Sequence, residues 1–176
     1  TIVKCLDKPN YETSEELVCN DVYLHSRDTG NRSTDPLKYF KDGERLQKQF
    51  FDTLYDDPDE LNTRSVFYTG QSYMDAGKFE LALKWYSLYL KLKDTWIEQV
   101  FESHLRIAST LIQLQRSYTD IKKHIDMAIK IFPDRAEPYF ILGKHCNYID
   151  KQEEAYNLLI KALSCSYTKS NNKYLL

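Results

Sequence analysis

The sequence predicts an all-α protein: an α-solenoid of about three helical hairpins, with one preceding helix and an irregular N-terminal segment. Three observations lead there. One pattern occurs twice at one spacing, the intervening and preceding runs keep apolar residues at helical period, and the first 34 residues do neither. The two copies are RSVFYTGQSYMDAGKFELALKWY, from Arg64 to Tyr86, and EPYFILGKHCNYIDKQEEAYNLL, from Glu137 to Leu159. Superposed, Gly70 meets Gly143, Ala82 meets Ala155 and Tyr86 meets Leu159. Self-similarity at a fixed period marks stacked repeats, because each hairpin must bury its apolar face on a neighbour.

Residues 1–34 read as an irregular segment and 35–176 as the helical repeat domain. The first segment carries Pro9, Asn10, Asn20, Gly30 and Asn31. Its strand-like run has Val22, Leu24 and Ser26 alternating with Tyr23 and His25. Asp28 to Asn31 is turn chemistry, since Gly and Asn tolerate positive φ. A long helix should follow, with Asp35 as N-cap and Pro36 in the first helical position. Leu37, Phe40, Leu46, Phe50 and Leu54 share one face. Gly43 reads as a weak spot costing about 1 kcal/mol against Ala. Asp57-Pro58-Asp59 ends the helix.

The first repeat spans about 63–96, with helix A near 63–75, a break at Gly77 and helix B near 79–92. Gly70 and Ala82 should let its two helices approach closely. A second, weaker repeat covers about 102–135. Ile107, Ala108 and Leu111 serve its helix A; Ile121, Ile125, Ala128 and Ile129 serve its helix B. Its loop near Ser117-Tyr118 carries one extra residue. The third repeat covers about 136–169.

Composition excludes several function classes. The net charge of −2 and the lack of a basic run speak against nucleic acid as a partner. No apolar stretch approaches the roughly 20 residues of a membrane span, and the first residues lack the apolar core of a signal peptide. A chain beginning at Thr1 reads as a piece of something longer. Cys5, Cys19, Cys146 and Cys165 form no CxxC pair. A reducing, intracellular (cytoplasmic) setting is therefore expected rather than a disulfide framework or a zinc site. The 14 tyrosines suit interhelical packing, with hydroxyls reaching the rim.

These hairpins resemble the tetratricopeptide repeat: about 34 residues, small residues at the eighth and twentieth positions, a proline near the end. The resemblance covers roughly 63–169. It departs at Cys146, where the family usually has Tyr, and in the irregular middle repeat. A narrower resemblance spans about 22–160. Arg64, Phe67, Tyr68, Gln71, Ser72 and Tyr73, then Trp96, Glu98, Val100 and Phe101, then Arg135 to Tyr139, resemble the repeat region of a set of family-2 glycosyltransferases. The stretch from His25 to Arg32 resembles the tail of their catalytic domain. The resemblance implies a nucleotide sugar and a divalent metal as cofactors of a longer parent protein. The aspartate-rich metal motif and the nucleotide-binding αβ portion are absent from this sequence, so this chain itself should need no cofactor. Its role would be a non-catalytic platform that packs on the catalytic domain, dimerises or holds the acceptor. The alternative is a free-standing adaptor that binds a peptide or protein.

Two candidate sites follow. Under the glycosyltransferase resemblance His25, with Asp28 and Arg32 near it, is a ligand for the metal holding the diphosphate, a role imidazole suits. Otherwise it is a half-exposed histidine on an edge strand. His104, His124 and His145 fall on separate helices with no metal-binding spacing. No GxSxG, Walker loop or GxGxxG is present. The second site is the concave wall that stacked A helices form. It should show Arg64, Phe67, Gln71, Met74, Arg106, Gln113, Phe140, Lys144 and Tyr148. This mixture of cations and aromatics suits an acidic or C-terminal peptide, since Arg pairs bidentately with carboxylates. The alternative is that Arg64 and Arg106 pair with acids on neighbouring helices.

Overall fold

The structure, a computed structural model, describes residues 35–56 and 62–165. The strand-like run at 22–26 and the His25 site lie outside the described residues. Among the described residues there are helices and no strand. They are α1 (Lys38–Asp56), α2 (Thr63–Asp75), α3 (Phe79–Tyr89), α4 (Ile97–Gln113), α5 (Tyr118–Ile131), α6 (Glu137–Tyr148) and α7 (Gln152–Ser164). Each packs on its sequence neighbours, so α2/α3, α4/α5 and α6/α7 are three stacked hairpins and α1 packs on the first. The chain is an α-solenoid.

Local chemistry sets the boundaries. Asn62 caps α2, its side chain accepting from the Arg64 N–H at 3.1 Å, and Ser117 Oγ accepts from the Asp120 N–H at 3.1 Å. Asp35 accepts from the Leu37 N–H at 2.9 Å, yet regular helix begins only at Lys38. Pro36 therefore sits in the lead-in turn rather than in the first helical position. Each A helix ends in the same way: the N–H of Lys78, Arg116 and Lys151 reaches back to the carbonyl of Tyr73, Leu111 and Cys146 at 2.8, 2.9 and 2.9 Å. Such a turn needs a left-handed residue. Gly77 (φ 68°), Gln115 (φ 52°) and Asp150 (φ 61°) fill that role.

These turns fix the repeat register. Helix B begins two residues after Gly77 and Asp150 but three after Gln115. The extra residue expected in the middle loop is there. By the same register Ala108 matches Gly70 and Gly143, while Ile121 stands where the other hairpins have Ala82 and Ala155. All six of these are buried. The middle hairpin thus takes a larger residue on its B helix, which is why its pattern is weaker in the sequence. Its helix A also starts five residues earlier than the sequence predicted, at Ile97. Gln99 and Glu98 hold that extra turn: Gln99 accepts from Tyr89 Oη at 3.0 Å, and Glu98 pairs with Arg135.

The small positions serve close approach. A Cβ at Gly70 would lie 3.1 Å from the Tyr86 ring, and one at Gly143 would lie 2.9 Å from Leu159 Cγ. The residues that coincide between the two sequence copies are thus in contact within each hairpin. Gly43 of α1 is not merely a weak spot. Its Cβ would lie 3.0 Å from the Tyr73 ring, whose hydroxyl donates to Gln47 of α1 at 2.8 Å. Phe50 of α1 meets Trp85 of α3 edge to face at 5.3 Å. The core continues through Tyr86, Tyr89, Phe101, Ile107, Ile121, Ile125 and Leu142, all buried.

Candidate functional site

The A helices α2, α4 and α6 carry the predicted wall, and the structure divides it into two parts. In the first, Arg106 is already paired and Arg64 rests on a tyrosine. Arg106 donates to Glu102, one helical turn away, at 2.8 Å. Burial raises the Asp75 pKa, and Arg106 pulls it the other way. Arg64 is exposed, donates to Tyr68 Oη at 3.2 Å and lies over that ring at 5.4 Å. Gln71 and Met74 are half-buried. Phe67 is a correction: it is 6% exposed, edge to face with Tyr86 and Tyr89 at 5.6 Å each. It is core rather than wall, because the close approach at Gly70 turns this face of α2 onto α3.

The second part is a cleft of about 470 Å³ between the C-terminal half of α4 and α6. It brings together four of the predicted residues: Gln113, Phe140, Lys144 and Tyr148. Ile112 and Ile141 line it as half-buried apolar residues. Phe140 is 51% and Tyr148 84% exposed, so two aromatic faces stand open to a ligand. The Lys144 ammonium lies 5.5 Å from the Phe140 ring centre and is, among the described residues, the only formal charge lining the cleft. Among the described residues no carboxylate lines it. Its shape and polarity are those of a small peptide-side-chain site: apolar walls, amide donors and one cation.

Five lining residues were not among those predicted for the wall: Ser109, Ile112, Gln115, Ile141 and His145. Ser109 follows the small position Ala108, so a corrected middle register would have found it. His145 is half-buried; its Nδ1 is enclosed without a hydrogen-bond partner, and its ring stacks on Tyr118 at 6.3 Å. Burial, then the charge of Lys151, lowers its pKa. Another feature escaped the spacing rules entirely. His104 and His124, on α4 and α5, meet with Nδ1 atoms 3.0 Å apart. Among the described residues no group of three or more His, Cys, Asp or Glu is placed to hold a metal.

The runs behind the glycosyltransferase resemblance have packing roles. Phe67, Tyr73 and Phe101 are buried. Arg135 donates to Glu98 at 3.1 Å and to Glu137 at 3.0 Å, and its guanidinium lies 4.5 Å from the Phe101 ring centre. Residues from the second and third runs therefore form one network joining the second hairpin to the third. Cys146 and Cys165 are buried, and Cys165 Sγ donates to the Lys161 carbonyl at 3.3 Å. No helix among the described residues is long and apolar enough to cross a membrane.

No family model matches the chain, and no curated protein matches it. Solved structures do. One, described as "MamA MSR-1 C2", aligns with a TM-score of 0.56 at 17% identity over 82% of each chain. Another, "Crystal structure of MamA", aligns with a TM-score of 0.39 at 16% identity over 85% of this chain and 99% of that one. Neither links the chain to glycosyltransferases. At such identities likeness speaks to fold, and the first match carries it: this chain has the fold of an α-solenoid of tetratricopeptide-like helical hairpins.

Proposed function

We propose that this chain is a non-catalytic protein-interaction module whose α4–α6 cleft binds a peptide segment bearing an apolar side chain and a carboxylate. The observation that carries this is the cleft itself, open, walled by Phe140 and Tyr148, with Lys144 as the only charge among its described lining residues. The apolar side chain would seat against Ile112 and Ile141, and the carboxylate would meet Lys144, since a charge-assisted hydrogen bond is stronger than a neutral one. The test is fluorescence anisotropy with a panel of synthetic peptides ending in aromatic or aliphatic residues, each with a free and an amidated C-terminus. Lys144→Glu should abolish preference for the free acid, and Phe140→Ala should weaken every peptide about tenfold, or roughly 1.4 kcal/mol. Absence of binding, or binding that ignores both substitutions, would sink the reading.

A second reading places the same domain beside the catalytic portion of a family-2-type glycosyltransferase, as a packing, dimerisation or acceptor-binding platform. The run from His25 to Tyr139 supports it. Divalent metal and nucleotide sugar would then bind the catalytic portion, with His25 as a metal ligand. A reading frame upstream of Thr1 that lacks an αβ domain with an aspartate-rich motif would remove this second reading and leave the first.

A further inference from the structure

One face of the last helix matches, position for position, a face of the first hairpin's second helix, but in α7 its apolar residues are exposed. Helices α3 and α7 occupy the same place in their hairpins, beginning at Phe79 and Gln152. Leu83 of α3 and Leu90 at its C-cap pack partly buried against the core, with Ser87 half-buried between them. Helix α4 packs on α3. At the N-terminal end of this face Glu80 pairs with Arg116 at 2.6 Å, just past the C-terminus of α4. The matching positions of α7 are Glu153, Tyr156, Ile160 and Leu163. Tyr156 is 66%, Ile160 48% and Leu163 76% exposed. Glu153 is exposed and has no ion-pair partner among the described residues.

This face has the same layout as an interface already present in the molecule: an apolar stripe about two turns long with a carboxylate at one end. It lies on α7, away from the α4–α6 cleft. From this equivalence we infer that the α7 face is a docking surface for an amphipathic helix of a partner protein. The helix takes the place that α4 takes on α3. It runs antiparallel to α7, lays large apolar side chains between Tyr156, Ile160 and Leu163, and carries a cation just beyond its C-terminus for Glu153. Helix-in-groove recognition of this kind reads the partner through its apolar face, with the charge setting its direction. A second copy of this chain does not supply such a helix from its A helices, because α2 is packed between α1 and α3, α4 between α3 and α5, and α6 between α5 and α7.

The probe is a synthetic peptide of residues 96–116, the segment that covers the equivalent face of α3 and includes Arg116. Titrated into the full chain and followed by isothermal calorimetry, it should bind with a Kd of the order of tens of micromolar. The double variant Ile160→Asp/Leu163→Asp, whose side chains are exposed and whose fold is checked by circular dichroism, should weaken binding at least about tenfold. Glu153→Arg should weaken it severalfold, and the Arg116→Glu peptide should restore affinity for that variant. The inference is overturned if the peptide does not bind the full chain, if the double variant binds it unchanged, or if sedimentation shows a dimer that the double variant abolishes. That last result would assign the face to a second copy.

Discussion

Gly70 and Gly143 hold their positions because a ring and a branched chain occupy the space where a Cβ would go. Gly70→Val should destabilise the fold by about 1–3 kcal/mol through overpacking against Tyr86, read as a shift of the urea midpoint with unchanged slope. The left-handed positions predict the opposite sign. Gln115 and Asp150 bear side chains at φ values that favour glycine. Gln115→Gly should raise stability by about 0.5–1 kcal/mol, measured in the same titration, because it removes a steric cost of roughly 1–2 kcal/mol and adds back some backbone entropy. Both sets of residues were visible in the sequence, the first as an exact coincidence between copies, the second only as loop positions. Phe67 was assigned to the wrong surface. Helical period groups it with Arg64, Gln71 and Met74, but only the distance to α3 decides that this side of α2 faces inward.

At the scale of elements, the middle hairpin is where sequence and structure differ most. Its helix A is one turn longer than the repeat pattern requires, and its B helix carries Ile121 instead of a small residue. It also holds the His104–His124 pair. One imidazole Nδ1 must donate and the other accept, so the accepting ring must be neutral and the bond is lost once both rings are charged. Burial, then the neighbouring His124, holds the His104 pKa down to about 4. Burial, then Lys123, lowers His124, with Asp120 acting the other way. No other hydrogen bond or ion pair reaches either ring from α2, α3 or α6. The unfolded chain takes up these protons near pH 6.5 and the folded chain resists them. Stability should therefore be flat above about pH 6.5 and fall as the pH drops toward about 4. Thermal melts from pH 4 to 8 should show that slope, reduced in His104→Leu/His124→Leu. An equal slope in the double variant would assign it to the carboxylates instead. Spacing along the chain gave no sign of this contact, since its partners lie on facing helices 20 residues apart.

For the whole molecule, the hairpins are joined by few polar contacts, and Arg135 is the most connected. Its side chain is 16% exposed, between Glu98 of α4 and Glu137 of α6. Arg135→Ala should cost about 1–3 kcal/mol, because it leaves partly enclosed carboxylates without their cation. If the third hairpin depends on this joint, hydrogen exchange in α6 and α7 should speed up more than in α2 and α3. A uniform increase would show instead that the stack opens as one unit. The sequence by itself determined the class and the count of hairpins. Apolar period and small-residue spacing are local properties, and a helical hairpin is a local structure. It also named four of the cleft residues, because residues on one A-helix face recur at predictable steps. Only the tertiary structure decided that Phe67 is core, that two histidines touch, and that Tyr156, Ile160 and Leu163 of α7 stand exposed. Each of these depends on which helix lies across from which, and that is set by packing between segments far apart in the chain.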